Sequence, residues 1–391
     1  MLRRDVIIVG SGPAGAATAL GIAARSRALA AGTTILERSV HPRDKTCAGG
    51  VIPKGLRLLA DLGLDLDVPQ TRVDRASVET PRSRVALDEG DLCRVIRRRE
   101  LDAMLAWAAR DRGVELRENA HVTAIRRDGD EIVVTTDQET YRARAVVGAD
   151  GSGSVVRRAL VPGDGGIVAR AVMTDVPVAS TRWNGFGERR YDFDFRPCAS
   201  GLRGYRWVFP CLIDGVPHAN VGVYGLPPVD GVRLQRELDA LVDEIGGRAT
   251  TWKAFPIRTL TPRSTLAAPR ALLVGDAAGC DPLMGEGISF ALEYGALAAE
   301  TLVAAAASDD WSFAGYATAV HRGPIGRKLR RLGLGARLFY GRTSAVMFAI
   351  AAASARAQAI GLRWYNGVDG WDERSAMAAV WALVTRQPVG V

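Results

Sequence analysis

The stretch "DVIIVGSGPAGAAT" runs from Asp5 to Thr18. Val6 to Val9 are four apolar residues in a row, which reads as a strand buried on both faces in a parallel sheet. At its end Gly10, Gly12 and Gly15 form G-x-G-x-x-G, with Pro13 and Ala14 inside the motif, and an Ala-rich helical stretch continues to Ala31. Strand, tight turn and helix are the context in which this spacing signals a dinucleotide. Gly10 permits the turn, Gly12 lets the main chain approach a pyrophosphate, and Gly15 allows the helix to pack closely on the strand. The helix N-terminus offers free N–H groups and partial positive charge to the phosphates. A second apolar run, Thr33 to Leu36, ends in Glu37, placed to accept from ribose hydroxyls. These residues leave NAD and FAD both open.

The chain has 391 residues, enough for two domains and an appendage, and its 48% hydrophobic content suits a large core. A net charge of +8, from 51 Lys and Arg against 43 Asp and Glu, suits anionic lipid surfaces or phosphorylated substrates. No basic run is interleaved with aromatics in a recognised module, so nucleic acid is not expected as a partner. The five cysteines, at 47, 93, 198, 211 and 280, show neither C-x-x-C nor metal-ligand spacing. No metal site is expected, and scattered thiols fit a reducing cytoplasm. With the first strand starting at Asp5, no signal peptide is expected. The most apolar late stretch, Ala345 to Ala353, is shorter than the ~20 residues of a membrane span.

Outward from the loop, Ile52–Gly63 and Arg97–Gly113 carry helical spacing, and Asp65–Asp91 is polar and dense in charge. His121–Arg126, Glu131–Thr136 and Tyr141–Val147 read as strands, the first two joined as a hairpin through Asp128-Gly129-Asp130. Gly166–Arg263 holds most of the aromatic residues and alternates like an antiparallel sheet. Ala271–Gly279 returns to a buried parallel strand, and from Gly285 the chain is mostly Ala-rich helix. The expectation is a discontinuous nucleotide domain (1–75, 92–165 and 266–330) with an inserted substrate-binding sheet domain (76–91 and 166–265). A C-terminal helical region, 331–391, would follow.

Three separated segments resemble one family. They are Gly10–Glu37, "GADGSGSVVR" (Gly148–Arg157) and "VGDAAGCDPLMGEGISFALEYG" (Val274–Gly295). Together they resemble the FAD-dependent oxidoreductases of hydroxybenzoate-hydroxylase-type fold, over about the first 330 residues. The resemblance implies an α/β fold, with a Rossmann-type domain holding FAD. It places Gly275 and Asp276 at the ribityl chain, and the backbone N–H groups of Gly285, Gly287 and Ile288 at the isoalloxazine N1/C2=O edge. A helix N-terminus there would stabilise the reduced, anionic flavin. Arg98, in Arg98-x-x-Leu101-Asp102, matches an arginine near the flavin's linker, and Asp150 matches a residue that organises the second turn.

Two further stretches resemble the geranylgeranyl reductases within that fold. Cys47-Ala48-Gly49-Gly50 matches their Cys-x-Gly-Gly segment, and "GYRWVFP", Gly204–Pro210, matches their Tyr-x-Trp-x-Phe-Pro motif. Leu202 stands where the family usually has a proline. The resemblance implies saturation of isolated C=C bonds in a prenyl chain of a lipid or diphosphate. Reduced flavin gives hydride, and a proton reaches the other carbon. Tyr205, Trp207 and Phe209 alternate along a strand and so share a face. They would line a prenyl tunnel, where aromatic faces stabilise developing positive charge, or form the sheet's own core. Cys47, beside Lys45 and a glycine pair, would be a proton donor, a gate responding to flavin redox state, or a small packed thiol. A flavin-adjacent Cys47–Cys280 pair is a further reading.

No second G-x-G-x-x-G follows a strand, so the electron donor is NAD(P)H visiting transiently or a small redox protein. Seven basic residues and no acid lie between Arg322 and Arg342, interleaved with Leu, Phe and Tyr. They would dock on anionic lipid from the cytoplasm or form a solvated helical face. Trp364, Tyr365, Trp371 and Trp381 read as interfacial anchors or packing residues. Two rival functions share the FAD segments: a flavin monooxygenase of an aromatic or polyketide substrate, and a non-catalytic lipid-binding flavoprotein. The Trp-x-Trp-x-Ile-Pro motif of flavin halogenases is absent.

Overall fold

The computed structural model describes residues 1–163, 166–249 and 251–368, apart from the side chains of Ala351 and Ala355. Trp371 and Trp381 lie outside the described residues. In chain order the first elements are β1 (Leu2–Val9), α1 (Pro13–Arg25), α2 (Arg27–Ala31), β2 (Thr33–Leu36), β3 (Gly50–Val51), α3 (Pro53–Asp61), β4 (Gln70–Glu79), β5 (Arg84–Ile96) and α4 (Arg98–Asp111). Next come β6 (Glu115–Arg117), β7 (Val122–Asp128), β8 (Glu131–Thr136), β9 (Thr140–Gly148), α5 (Val155–Leu160), β10 (Val168–Pro177), β11 (Arg190–Asp194), β12 (Gly204–Ile213), β13 (Val216–Gly225) and α6 (Gly231–Glu244). The remainder is β14 (Lys253–Arg258), β15 (Ala267–Ala268), β16 (Ala271–Leu273), α7 (Ile288–Ser308), α8 (Tyr316–Arg322), α9 (Pro324–Phe339), α10 (Ser344–Ala352) and α11 (Ala355–Asn366).

The first sheet runs β15-β16-β9-β1-β2-β6, with the β7–β8 hairpin joined to β9. β1 lies parallel to both β2 and β9, so Val6, Ile7 and Ile8 are buried on both faces, as the unbroken apolar run requires. The expected helix through Ala31 instead breaks at Ser26. That residue is extended, and its hydroxyl accepts from Leu29 N–H to cap the short α2. α7 lies along α1. Its 21 residues are long and apolar enough to cross a membrane by composition, which the sequence reading overlooked, but most of the helix is buried inside the protein.

The second sheet runs β14-β10-β13-β12-β11-β4-β5-β3. It takes in all of β4 and β5, wider than the 76–91 expected, and β4 pairs with β11 in parallel within an otherwise antiparallel sheet. One face packs against α6 through Leu234, Leu238, Leu241 and Val242; this helix was not anticipated. Val208 of β12 faces α6, whereas Tyr205, Trp207, Phe209 and Cys211 face the opposite way. That aromatic face, closed on its outer side by α9 and α11, looks onto the Rossmann-type domain.

Candidate FAD and substrate site

One continuous cavity of about 540 Å³ runs from the β1–α1 loop to the aromatic face of the second sheet. At the loop, Gly10 has φ +97°, and a Cβ there would stand 2.6 Å from Ala149 O. A Cβ on Gly15 would fall 2.0 Å from Gly10 O, so Gly15 sits behind the turn and seats α1 on the strand. Gly12, Pro13 and Ala14 line the cavity, and no side chain caps α1, which leaves its first N–H groups for an anion.

Glu37, at the end of β2, accepts from Ser11 Oγ–H at 2.6 Å and Ser11 N–H at 3.1 Å. Burial works against its charge, but Arg43 and the Ser11 donors outweigh that and hold the carboxyl below its usual range. Arg43 lies 3.2 Å from Glu37 and 3.1 Å from Asp102, and Arg98 grips Asp102 through two bonds of 2.6 and 2.9 Å. Both guanidinium groups stand beside Gly12. This chain of ion pairs puts two half-buried cations against the pyrophosphate turn. The parts of Arg43 and of Asp102 as counter-ion were not anticipated from the sequence, although Asp102 stands in the pattern quoted for Arg98. The Arg98–Asp102 spacing of four on one helix was the available signal.

Asp150 spends Oδ2 on Val155 N–H at 2.6 Å and so organises the second turn. Gly275 and Asp276 line the cavity, with Asp276 Oδ1 3.3 Å from where a Gly287 Cβ would be. Gly285, Gly287 and Ile288 also line it, at the start of α7, which has no side-chain cap. The first N–H groups of α1, and those of Gly287 and Ile288 at the start of α7, thus open into the same cavity, together with the bare-backbone approach at Gly10, Gly12 and Gly287. That donor set fits the two ends of FAD. Lys45 faces Asp276 with its ammonium 3.0 Å over the Phe255 ring. Burial, assisted by Arg98, lowers its pKa to about 8, with Asp276 acting in the opposite direction.

Beyond the α7 N-terminus the walls are aromatic. Tyr191 stacks on Phe209 at 5.3 Å between ring centroids, Phe193 meets Phe209 edge-on at 5.4 Å, and Tyr205 lies 5.9 Å from Trp207. The hydroxyls are used outside the wall: Tyr205 donates to Met284 O at 2.6 Å, Tyr224 to Pro282 O at 3.1 Å and Tyr340 to Leu283 O at 2.7 Å. Burial drives the Tyr205 and Tyr224 pKa values upward, so both rings are neutral. Trp207 Nε1–H donates to Asn220 at 2.8 Å. Cys47 lines the cavity and its sulfur accepts from Gly49 N–H at 3.3 Å. Cys280 also lines it, but its thiol donates to Arg258 O at 3.3 Å, and both cysteines are free.

The C-terminal basic stretch divides by face. Lys328 points inward, donating to Trp364 O at 2.8 Å with its ammonium 3.5 Å over the indole, so the outward set holds six arginines rather than seven basic residues. Tyr365 donates to Asp281 at 2.8 Å inside the cavity wall and is not an interfacial anchor.

Residues 3–185 match the FAD binding domain family. The chain is 30% identical over 345 residues to menaquinone reductase of Mycolicibacterium smegmatis, covering 78% of each protein. It is 31% identical over 330 residues to the chloroplastic geranylgeranyl diphosphate reductase of Oryza sativa subsp. japonica, covering 78% of this chain and 68% of that one. Among solved structures, a geranylgeranyl bacteriochlorophyll reductase-like protein of Thermoplasma acidophilum superposes with a TM-score of 0.75 at 20% identity. That match covers 100% of this chain and 98% of that one.

Proposed function

The chain belongs to the geranylgeranyl reductase family of FAD-dependent oxidoreductases, and from that premise we propose that it saturates isolated C=C bonds of a prenyl chain. The observation that carries this reading is the junction of the FAD cradle with a deep aromatic arm in a single cavity. FAD, once reduced, supplies the hydride. Tyr205, Trp207 and Phe209 would hold the alkene by their faces, exclude water, and stabilise positive charge developing on carbon. Cys47 would sit where cradle and arm meet, and Arg43 and Arg98 would neutralise the pyrophosphate.

Four cations line the described cavity, Arg38, Arg43, Lys45 and Arg98, and all come from the segments that build the FAD cradle. The aromatic arm meets one of these cations, Lys45 over the Phe255 ring, and Asp276 already faces it. This favours a prenyl tail entering alone, its head group left outside, as in a prenylated quinone. Electrons would come from NAD(P)H or a small redox protein. The test is anaerobic: protein with dithionite-reduced FAD, freed of excess dithionite and mixed with geranylgeranyl diphosphate or with menaquinol, whose ring is already reduced, should regain the oxidised flavin spectrum and give a prenyl chain two hydrogens heavier. Reduced flavin that ignores every prenyl substrate and reacts only with oxygen would favour the monooxygenase; a flavin oxidised by no organic substrate under either condition would favour the lipid carrier.

A second reading, peripheral contact with the cytoplasmic face of a membrane, is supported by the outer surface that runs from the end of α8 through α9 to α10. Arg322, Arg327, Arg330, Arg331, Arg337 and Arg342 are exposed there with Leu334, Val346 and Ile350, and no acid occurs from Trp311 to Val368. Each arginine near an anionic bilayer is worth about 1 kcal/mol. The protein should therefore sediment with phosphatidylglycerol vesicles and be released by salt. Replacing Arg327, Arg330, Arg331 and Arg337 with Glu should abolish this. Equal binding to phosphatidylcholine vesicles, or none to either, removes the reading.

A further inference from the structure

We propose that Glu286 donates the proton that completes reduction of the alkene, an inference that rests on the prenyl-reductase reading above. Glu286 lies in the turn Gly285-Glu286-Gly287, between the FAD cradle and the aromatic arm, and it lines the cavity. Its Oε1 accepts from Ser289 N–H at 2.8 Å, which fixes the carboxyl at the open end of α7.

The groups facing Glu286 come from several elements. Asp281 and Cys280 precede it in the same loop, Lys54 approaches from α3, Cys93 from β5 and Tyr365 from α11. Lys54 is ion-paired with Glu293 at 2.8 Å. Asp281 is engaged by Leu283 N–H at 2.6 Å, Met284 N–H at 3.0 Å and the Tyr365 hydroxyl at 2.8 Å. Burial pushes the Glu286 carboxyl up to about 7; the Asp281 charge adds to this, while Ser289 N–H and Lys54 act against it. An acid in that range holds its proton near neutral pH and still releases it readily. Cys93, Tyr205, Tyr224 and Tyr365 are held too weak to donate, because burial drives them upward.

The balance closes with two C–H bonds. The hydride supplied by reduced FAD brings two electrons to one alkene carbon, leaving FAD oxidised. The Glu286 O–H bond breaks as its proton forms the C–H bond at the other carbon, and the alkene becomes an alkane. The carboxylate left behind faces Asp281, a like charge, and is reprotonated from solvent.

The test combines spectroscopy with kinetics on the FAD-loaded protein. Infrared titration without substrate should show a protonated-carboxyl band that disappears as pH rises through about 7 and is missing in Glu286→Gln. With menaquinol, whose ring is already reduced, under anaerobic conditions, flavin reoxidation by the wild type should fall above that pH. Glu286→Gln should be roughly 100-fold slower or worse and lose the pH limb, while Cys47→Ser, slowed for its own reasons, should keep the limb. A carboxyl band titrating near 7 that survives in Glu286→Gln, or a variant that reacts at the wild-type rate with the same pH limb, overturns the role of Glu286 alone. A wild-type protein that reacts with no prenyl substrate overturns the reductase reading and this role together.

Discussion

Asp102→Ala is expected to strip FAD from the protein and to destabilise it by about 3–5 kcal/mol. Asp102 is fully buried on α4 and is the only carboxylate that binds Arg98 and Arg43 together among the described ion pairs. Burial opposes a charged Arg98, and the Asp102 carboxylate is what outweighs it and holds the guanidinium well above the ordinary arginine range. Without that carboxylate, the two half-buried cations beside Gly12 lose a shared counter-ion. Arg98 is then left without its partner and Arg43 keeps only Glu37, so Arg98 turns toward water and the pyrophosphate loses its hold. Asp102→Asn, which keeps an acceptor but no charge, should fall between wild type and Ala. Flavin-to-protein absorbance after purification reads the first effect. Denaturant unfolding, with and without added FAD, reads the second and separates loss of intrinsic stability from loss of bound ligand. An alanine variant that purifies with full FAD and an unchanged midpoint would show that Arg98 and Arg43 position themselves without Asp102.

The contrast between Gly12 and Asp102 explains what the sequence could and could not disclose. The glycine spacing, the apolar strand before it and the helix after it are local, so chain order alone displays them. The Glu37–Arg43–Asp102–Arg98 links join residues separated by as many as 59 positions, and only the i,i+4 pair within α4 leaves a local trace. The charged segment Asp65–Asp91 was read only as polar and charge-dense, with 76–91 given to the sheet domain, for a different reason. β4 and β5 alternate, but their register shifts between Val73 and Arg75, and the bulge interrupts the period-two pattern at the point where it would be counted. α6 did carry a helical period in Leu234, Leu238 and Leu241, yet it lies within a region dominated by strand alternation.

The aromatic arm was partly readable. Alternation on β12 puts Tyr205, Trp207 and Phe209 on one face whatever the tertiary fold, but the rest of the wall depends on strand order. Tyr191 and Phe193 come from β11, Tyr224 from β13 and Phe255 from β14. Glu286 was hidden in plain view: it stands between two glycines already assigned to FAD, and its acidity is a product of burial that no local pattern encodes.

Gly222→Ala should leave FAD bound and cut anaerobic, prenyl-dependent flavin reoxidation roughly 100-fold, the effect expected when a group in the reacting pocket is misplaced by about 1 Å. Gly222 is the cross-strand partner of Trp207, and a Cβ there would stand 2.0 Å from the indole Cζ2. The indole therefore lies across bare backbone, which is why the position admits no side chain. Its tilt is fixed at the other end by Asn220 at 2.8 Å, which is itself held by Asp175 at 2.7 Å, and Asp175 by Arg97 at 3.0 Å. A methyl group would force the ring off Gly222 and away from Asn220, narrowing the arm; overpacking of this kind costs about 1–3 kcal/mol. Trp207→Ala removes the clash as well as the ring face. If the indole is the only thing the methyl disturbs, adding Gly222→Ala to that variant should cost little more in stability or rate. Flavin absorbance reads FAD retention, tryptophan fluorescence reports the altered ring environment, and stopped-flow reoxidation gives the rate. Should Gly222→Ala reoxidise at the wild-type rate, the alkene does not meet the face of Trp207, and the tunnel must pass along Tyr191 and Phe193 instead.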